Sequence, residues 1–406
     1  MSSPRRETSA GRLMDGFAQR TGLEPGARPV RYLWTDAFAV CNLVGLWRKT
    51  GRDRYLELAL ALTEQVHEVL GRHREDDERS GYISGLSGEQ ARAHPTIGGL
   101  RIGKPLPERG ADEPLDRRRE WDRDGQYFHY LTKWMHALDV LYRETAEISC
   151  IVWASELALT AGRAFLSTDS RGRRSMSWKM SIDLSRALVP SMGSHDPLDG
   201  YVRCRLLLES LRPPAGPKGA YIPELVPALE ELADSYLGIL RKRPLATPDP
   251  LGLGGLLSAA VHLYQLAGRG PFTDRELLGR LLRDALSGLE VWRGSGAAGA
   301  PADSRLPFRE LGLAIGLRGI SRILDGSLGD GPVFERAGHS SVLLRELGKR
   351  ARLAGRITAF WSREANHGPT WSENRNINVV MLATAIDPRG YLVLPEPREG
   401  AAADGR

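Results

Sequence analysis

Four polar segments concentrate the side chains able to do chemistry. The richest is Glu120-Trp121-Asp122-Arg123-Asp124-Gly125-Gln126-Tyr127, with three carboxylates, an arginine to tune them, and Trp, Gln and Tyr alongside. The others are Tyr32-Leu33-Trp34-Thr35-Asp36, His195-Asp196-Pro197-Leu198-Asp199-Gly200, and the run from Asn366-His367 through Trp371-Ser372-Glu373-Asn374. Glycoside hydrolysis needs two carboxyl groups, one to protonate the leaving oxygen and one to activate water or attack the sugar. Tryptophan and tyrosine beside such acids offer apolar faces on which a sugar ring stacks. The candidate acids are Asp36, Asp122, Asp124 and Glu373. Candidate binding residues are Trp34, Trp121, Arg123, Gln126, Tyr127, Lys179, His195, Asp199, His367 and Trp371.

Several candidates have a plainer structural reading. Asp36 and Asp124 stand just ahead of apolar helical stretches, where an aspartate accepts from free backbone N–H groups as an N-cap. Asp122 and Glu373 have no such explanation. In the third segment, Asp followed by Pro is a helix-start signature. Asp-Pro-Leu recurs at Asp249-Pro250-Leu251, so Asp196 and Asp249 read as sharing a structural job, which shifts the weight to His195 and Asp199. Trp178-Lys179-Met180-Ser181-Ile182-Asp183 either lines a pocket or covers it. Gly98-Gly99-Leu100-Arg101-Ile102-Gly103-Lys104 is glycine-rich and basic but does not match a P-loop. His129 and His136 are not at the i, i+4 spacing of a helical zinc pair, and no compact ligand spacing appears elsewhere. No metal or cofactor is called for.

The elements that position these segments are helical almost throughout, since no long stretch alternates in the manner of a strand. A unit recurs. A polar, aromatic loop leads into a helix apolar nearly all round, and a turn then leads to an amphipathic partner. The apolar helices start near 37, 126, 198, 250, 309 and 377. The sixth lacks a following partner, and the N-terminal segment, about 5–21, lacks a preceding one. Packing the two together closes a ring, so the expected fold is all-α, an (α/α)6 toroid of helical hairpins in one domain spanning 1–406. The uneven intervals disfavour a solenoid, whose repeats keep a near-fixed period. A long insertion, about 71–124, should fold over one face of the ring. The stretch of about 395–406 reads as a disordered tail.

The chain has 406 residues and a formal net charge of +6, but its basic runs are interleaved with acids, as when Arg117-Arg118-Arg119 precedes Glu120 and Asp122. Nucleic-acid binding needs basic residues gathered on one face, so no such partner is expected. The abundance of Arg, Gly and Ala suggests a GC-rich bacterial genome. Cys41, Cys150 and Cys204 are odd in number and widely spaced, consistent with buried thiols in a reducing compartment. The polar first ten residues carry no secretory signal, and no uninterrupted apolar run approaches the length of a membrane span. The expectation is a cytoplasmic protein acting on a small saccharide.

The aromatic and acidic segments ahead of the apolar helices, Tyr32 to Asp36, Trp121 to Tyr127, His195 to Gly200 and Trp371 to Asn374, resemble the six-hairpin glycosidase superfamily. That group includes unsaturated glucuronyl hydrolases and the N-acylglucosamine 2-epimerase fold. The resemblance implies the toroid and carbohydrate chemistry. It supplies no family-defining catalytic motif, and the paired catalytic histidines of the epimerase group have no counterpart here. A glycoside hydrolase using two of the four acids is the leading expectation. A sugar isomerase or epimerase with His195 or His367 as base is the alternative, histidine being suited by its near-neutral pKa. A non-catalytic scaffold or a terpenoid-cyclase-like ring is the third.

Overall fold

The computed structural model describes residues 8–24, 26–212, 224–269, 274–328 and 338–396. The expected tail falls almost wholly outside them. The chain is all-α, built largely of consecutive helices paired as hairpins. It comprises two compact units. One is Met1–Ala18, Gly45–Arg52 and Pro244–Leu394, and the other is Gln19–Val44, Asp53–Arg243 and Pro395–Arg406.

The long helices are α1 (Ser9–Arg20), α2 (Leu33–Thr50), α3 (Asp53–Leu70), α5 (Phe128–Thr145), α6 (Ile148–Phe165), α7 (Asp196–Ser210), α8 (Leu225–Leu240), α9 (Pro250–Arg269), α10 (Arg275–Gly294) and α11 (Pro307–Leu324). Then follow α12 (Gly338–Gly348), α13 (Arg352–Trp361), a short α14 (Pro369–Glu373), α15 (Arg375–Ile386) and α16 (Arg389–Leu392). Residues Ser341 to Trp361 read in the sequence as one amphipathic helix, but the chain breaks around Lys349 to Ala351 into α12 and α13. The insertion holds one short helix, α4 (Gly88–Ala93), and little other regular structure.

In the unit containing Pro244–Leu394, α9 and α11 approach backbone to backbone. A Cβ on Gly254 would lie 2.1 Å from the Gly312 carbonyl oxygen, so only glycine permits this spacing. Small residues on these helices therefore serve packing, and the all-round apolarity follows from burial on every side. The core of this unit holds a buried ion pair. Glu310 receives Arg305 through two hydrogen bonds, 2.7 and 2.5 Å, and accepts from Trp361 Nε1 at 2.9 Å.

In the other unit, α5 packs on α6 and α7, and α7 packs on α8. Strands β1 (Gln126–Tyr127), β4 (Lys179–Met180) and β5 (Ala187–Val189) form a small antiparallel sheet at the mouth of α5, and β2 (Leu166–Thr168) pairs with β3 (Arg174–Met176). Two- and three-residue strands are too short for alternation to show in a sequence. Two helices, α6 and α9, are each long and apolar enough over an 18-residue window to cross a membrane by length and composition alone, although the sequence shows no uninterrupted apolar run of that length. Of those windows, 56% and 72% is buried inside the protein, as befits core helices.

Candidate functional site

The site in the unit containing α5 and α7 is built from their first turns. His129 and Lys133 are one turn apart on α5, so they share a face. Asp196 and Asp199 share the first turn of α7. Lys133 Nζ lies 2.9 Å from Asp199 Oδ2, and His129 Nδ1 lies 3.9 Å from Asp196 Oδ1. His129 Nδ1 is buried and makes no hydrogen bond among the described residues. Burial pushes the His129 imidazole down to about 4, so it is neutral at pH 7. Burial, reinforced by neighbouring Asp199, raises the Asp196 carboxyl to about 7, although the Gly193 N–H bonded to it opposes the shift. Asp199 is pushed up by burial, but Lys133 more than offsets this and holds it below its ordinary value. Four groups on two helices thus form an ion pair beside a neutral base and a protonatable acid.

Aromatic rings wall this cluster. Trp178 stacks on His129, with centroids 6.0 Å apart and planes within 7°. Tyr127 lies 4.8 Å from Trp178 and 5.3 Å from His129, while Tyr130 meets His129 edge-on at 4.8 Å. The Tyr32 and Tyr130 hydroxyls are 2.5 Å apart. Lys104 places its ammonium 5.4 Å from the Tyr32 ring centroid. Tyr127 and Trp178 also line a cavity of about 410 Å³ with Trp121, Glu120, Arg117 and Pro190, within the size range of small-molecule sites. Trp121 is 52% exposed and edge-on to Trp178 at 5.3 Å.

The walls are held by buried polar contacts, and several sequence candidates belong to that framework. Lys179, fully buried, donates from Nζ to Glu120 Oε1 at 2.8 Å and to the carbonyls of Glu120 and Arg123 at 2.9 and 2.8 Å. Arg123 binds Glu113. Gln126 accepts from Leu100 N–H at 2.8 Å and donates to the Gly98 and Ile182 carbonyls at 3.1 and 2.6 Å. Gly125 turns the chain into β1 at φ +143°, where a Cβ would stand 2.7 Å from the Met180 carbonyl oxygen. Asp124 is wholly buried. It pairs with Arg101 at 2.9 Å and Arg74 at 3.3 Å and accepts from Gly103 and Gly125 N–H groups. It is therefore a strut of the insertion. Asp124→Ala is expected to lower the unfolding free energy by about 2–3 kcal/mol, because charge-assisted hydrogen bonds of two arginines are lost. Urea denaturation of the variant checks this.

The remaining candidates lie as follows. Asp36 is buried, accepts from Tyr32 N–H at 2.8 Å and faces Arg31 at 3.6 Å, so it fixes the turn that presents Tyr32. Burial raises its carboxyl to about 6 against the pull of Arg31. Trp34 is buried against Phe38 and offers no open face. Asp122 is exposed, and its carboxylate makes no hydrogen bond or ion pair among the described residues. His195 is half-buried at the N-cap of α7.

In the other unit, Glu373 is exposed at the end of α14. His367 stacks on buried Trp371 at 3.7 Å and 5°, with Nε2 2.9 Å from the Trp361 carbonyl oxygen, to which it donates. Both rings are thus engaged in packing. Within the site, sequence reasoning singled out Tyr127, Trp121 and Asp199. It left His129, Lys133, Tyr32 and Tyr130 out of the candidate set and set Asp196 aside. The i, i+4 pairing of His129 with Lys133 at a hairpin mouth was the signal available. Among the described residues no group of His, Cys, Asp and Glu is arranged to hold a metal ion.

No protein-family model matches the sequence, and no curated protein matches it. Three of the solved structures similar to this chain are the following. A sugar epimerase from a ruminal bacterium is 10% identical over 88% of this chain and 87% of its own, at a TM-score of 0.46. The cellobiose 2-epimerase of Spirochaeta thermophila is 12% identical over 94% and 98%, at 0.48. A D-mannose isomerase is 11% identical over 95% and 100%, at 0.47.

Proposed function

We propose that the chain is a carbohydrate-active enzyme of the isomerase or epimerase type, moving a proton on a small reducing sugar. The observation that carries this reading is the neutral, unbonded His129 Nδ1 placed 3.9 Å from the Asp196 carboxyl inside an aromatic wall. Proton abstraction next to a carbonyl needs a base that is unprotonated at working pH and an acid that protonates the carbonyl oxygen. His129 suits the first role. Asp196, raised to about 7, suits the second. Trp178 and Tyr127 give the ring faces against which a sugar's C–H surface packs. Epimerase and isomerase are also the activities named for the three similar structures, which bear on fold alone.

Hydrolysis by a carboxyl pair finds less support in the geometry. Asp36 and Asp124 are engaged in ion pairs within the protein, while Asp122 and Glu373 are exposed. The test is exchange with solvent. Incubation with reducing mono- and disaccharides in deuterium oxide should replace the sugar's C2 proton, read by NMR. Cleavage of a glycosidic bond without exchange would restore the hydrolase reading, and neither change across the panel would remove the proposal.

A further inference from the structure

A second cavity, of about 740 Å³, opens between α3, α6 and the loop carrying α4. Its lining includes Leu60, His67, Tyr82, Pro95, Cys150 and Trp153, none of which takes part in the site described above. The polar edges of its two larger rings are satisfied by the protein. Trp153 Nε1 donates to the Ala93 carbonyl at 2.7 Å, and Tyr82 donates to Glu68 Oε2 at 2.7 Å. Arg72 Cζ stands 4.0 Å over the Tyr82 ring, and Trp153 meets His67 edge-on at 5.0 Å.

His67 is the exception. It is only 6% exposed, and its Nε2 accepts from Trp134 Nε1 at 3.1 Å. A neutral imidazole that accepts at one nitrogen carries its proton on the other. That second N–H, at Nδ1, has no hydrogen-bond partner among the described residues. Burial drives the His67 imidazole down to about 3, so the ring stays neutral and remains a single-proton donor. The Cys150 thiol is pushed up to about 12, again by burial, and is likewise uncharged.

We propose that this cavity is a second small-molecule site, for a flat, uncharged heteroaromatic ligand whose ring nitrogen or carbonyl accepts from His67 Nδ1. The lining also carries Glu64, Glu68, Glu147 and Arg92, of which Glu68 is held by Arg72 and Tyr82; around His67 the aromatic and aliphatic walls favour a planar apolar body. Leu60, 43% exposed, stands on the exposed side of α3.

The experiment uses quinoline and naphthalene, which have the same shape but differ in one ring nitrogen. Ligand-observed NMR titrations of the full-length protein at pH 7.5 should show saturable quinoline binding and at least tenfold weaker naphthalene binding. His67→Phe should erase the preference. If that variant does not fold, Leu60→Trp, which fills the mouth from a partly exposed position, should abolish binding of both. Equal affinity for the two probes, no quinoline binding, or binding unaltered by Leu60→Trp would each overturn the proposal.

Discussion

His129→Asn should slow solvent exchange at the sugar's C2 by about 10²–10⁴-fold, the range expected on removing a positioned general base. The protein should remain folded, because His129 Nδ1 has no hydrogen bond to lose. The same pair fixes a pH profile. His129 has its folded pKa lowered to about 4, so it accepts a proton only above that pH. Asp196 has its folded pKa raised to about 7, so it donates only below that pH. Exchange should therefore rise through pH 4, hold a plateau and fall above about 7, and Asp196→Asn should remove the upper limb together with most of the rate. Asp196 also links to stability with a definite sign. The folded state keeps its proton between its ordinary carboxylate range and about 7 while the unfolded chain has lost it, so this contribution disappears as pH rises through that window. A profile of kcat/KM flat from pH 4 to 9 would remove the assigned roles of both residues.

Arg143→Met is expected to destabilise the protein by about 3–5 kcal/mol, as when one partner of a buried ion pair is removed. The Arg143 and Asp139 side chains are both fully buried one turn apart on α5, 3.0 Å from Nε to Oδ2. Arg143 also reaches Glu209 Oε2 at 2.5 Å and the Leu206 carbonyl at 3.2 Å on α7. Ser210 Oγ donates to Asp139 at 2.5 Å. These contacts lock the C-terminal ends of α5 and α7 together, the helices whose opposite ends hold His129, Lys133, Asp196 and Asp199. The double variant Asp139→Leu with Arg143→Met should recover part of the loss, since the fully buried Asp139 charge is no longer left unpaired. Urea denaturation of the three proteins decides it, and a single variant as stable as the parent would show that the pair contributes nothing.

The helices were legible because their signal is long. Starts read near 37, 126, 198, 250, 309 and 377 are observed at 33, 128, 196, 250, 307 and 375. Each helix buries a broad apolar surface, and that surface is what periodicity records. The site was less legible. Asp196 and Asp249 share an Asp-Pro-Leu context, yet they behave differently. Asp249 Oδ2 accepts from Gly252 N–H at 2.9 Å, as a helix cap does. Asp196 instead accepts from Gly193 N–H, upstream of its own helix, and turns its other oxygen toward His129. Nothing in three shared residues encodes that difference. Lys179, Arg123 and Gln126 show the converse. Polar residues in a loop look alike in sequence whether they face a ligand or bond the loop to itself. His129 was weighed only for zinc spacing, and its partner lies 67 positions away on another helix, a separation that no local pattern reports.

The insertion is anchored at both ends of its last stretch. Asp124 is clamped by Arg74 and Arg101, Leu106 is bridged to Arg123, and Gln126 is bonded to Gly98 and Ile182. A wall fixed this way is already shaped before any molecule arrives. Little ordering entropy remains to be lost on capture, and no gate has to swing first. Mixed rapidly with a sugar, the protein should show one kinetic phase whose rate climbs in proportion to sugar concentration, without the ceiling that a closing flap would impose.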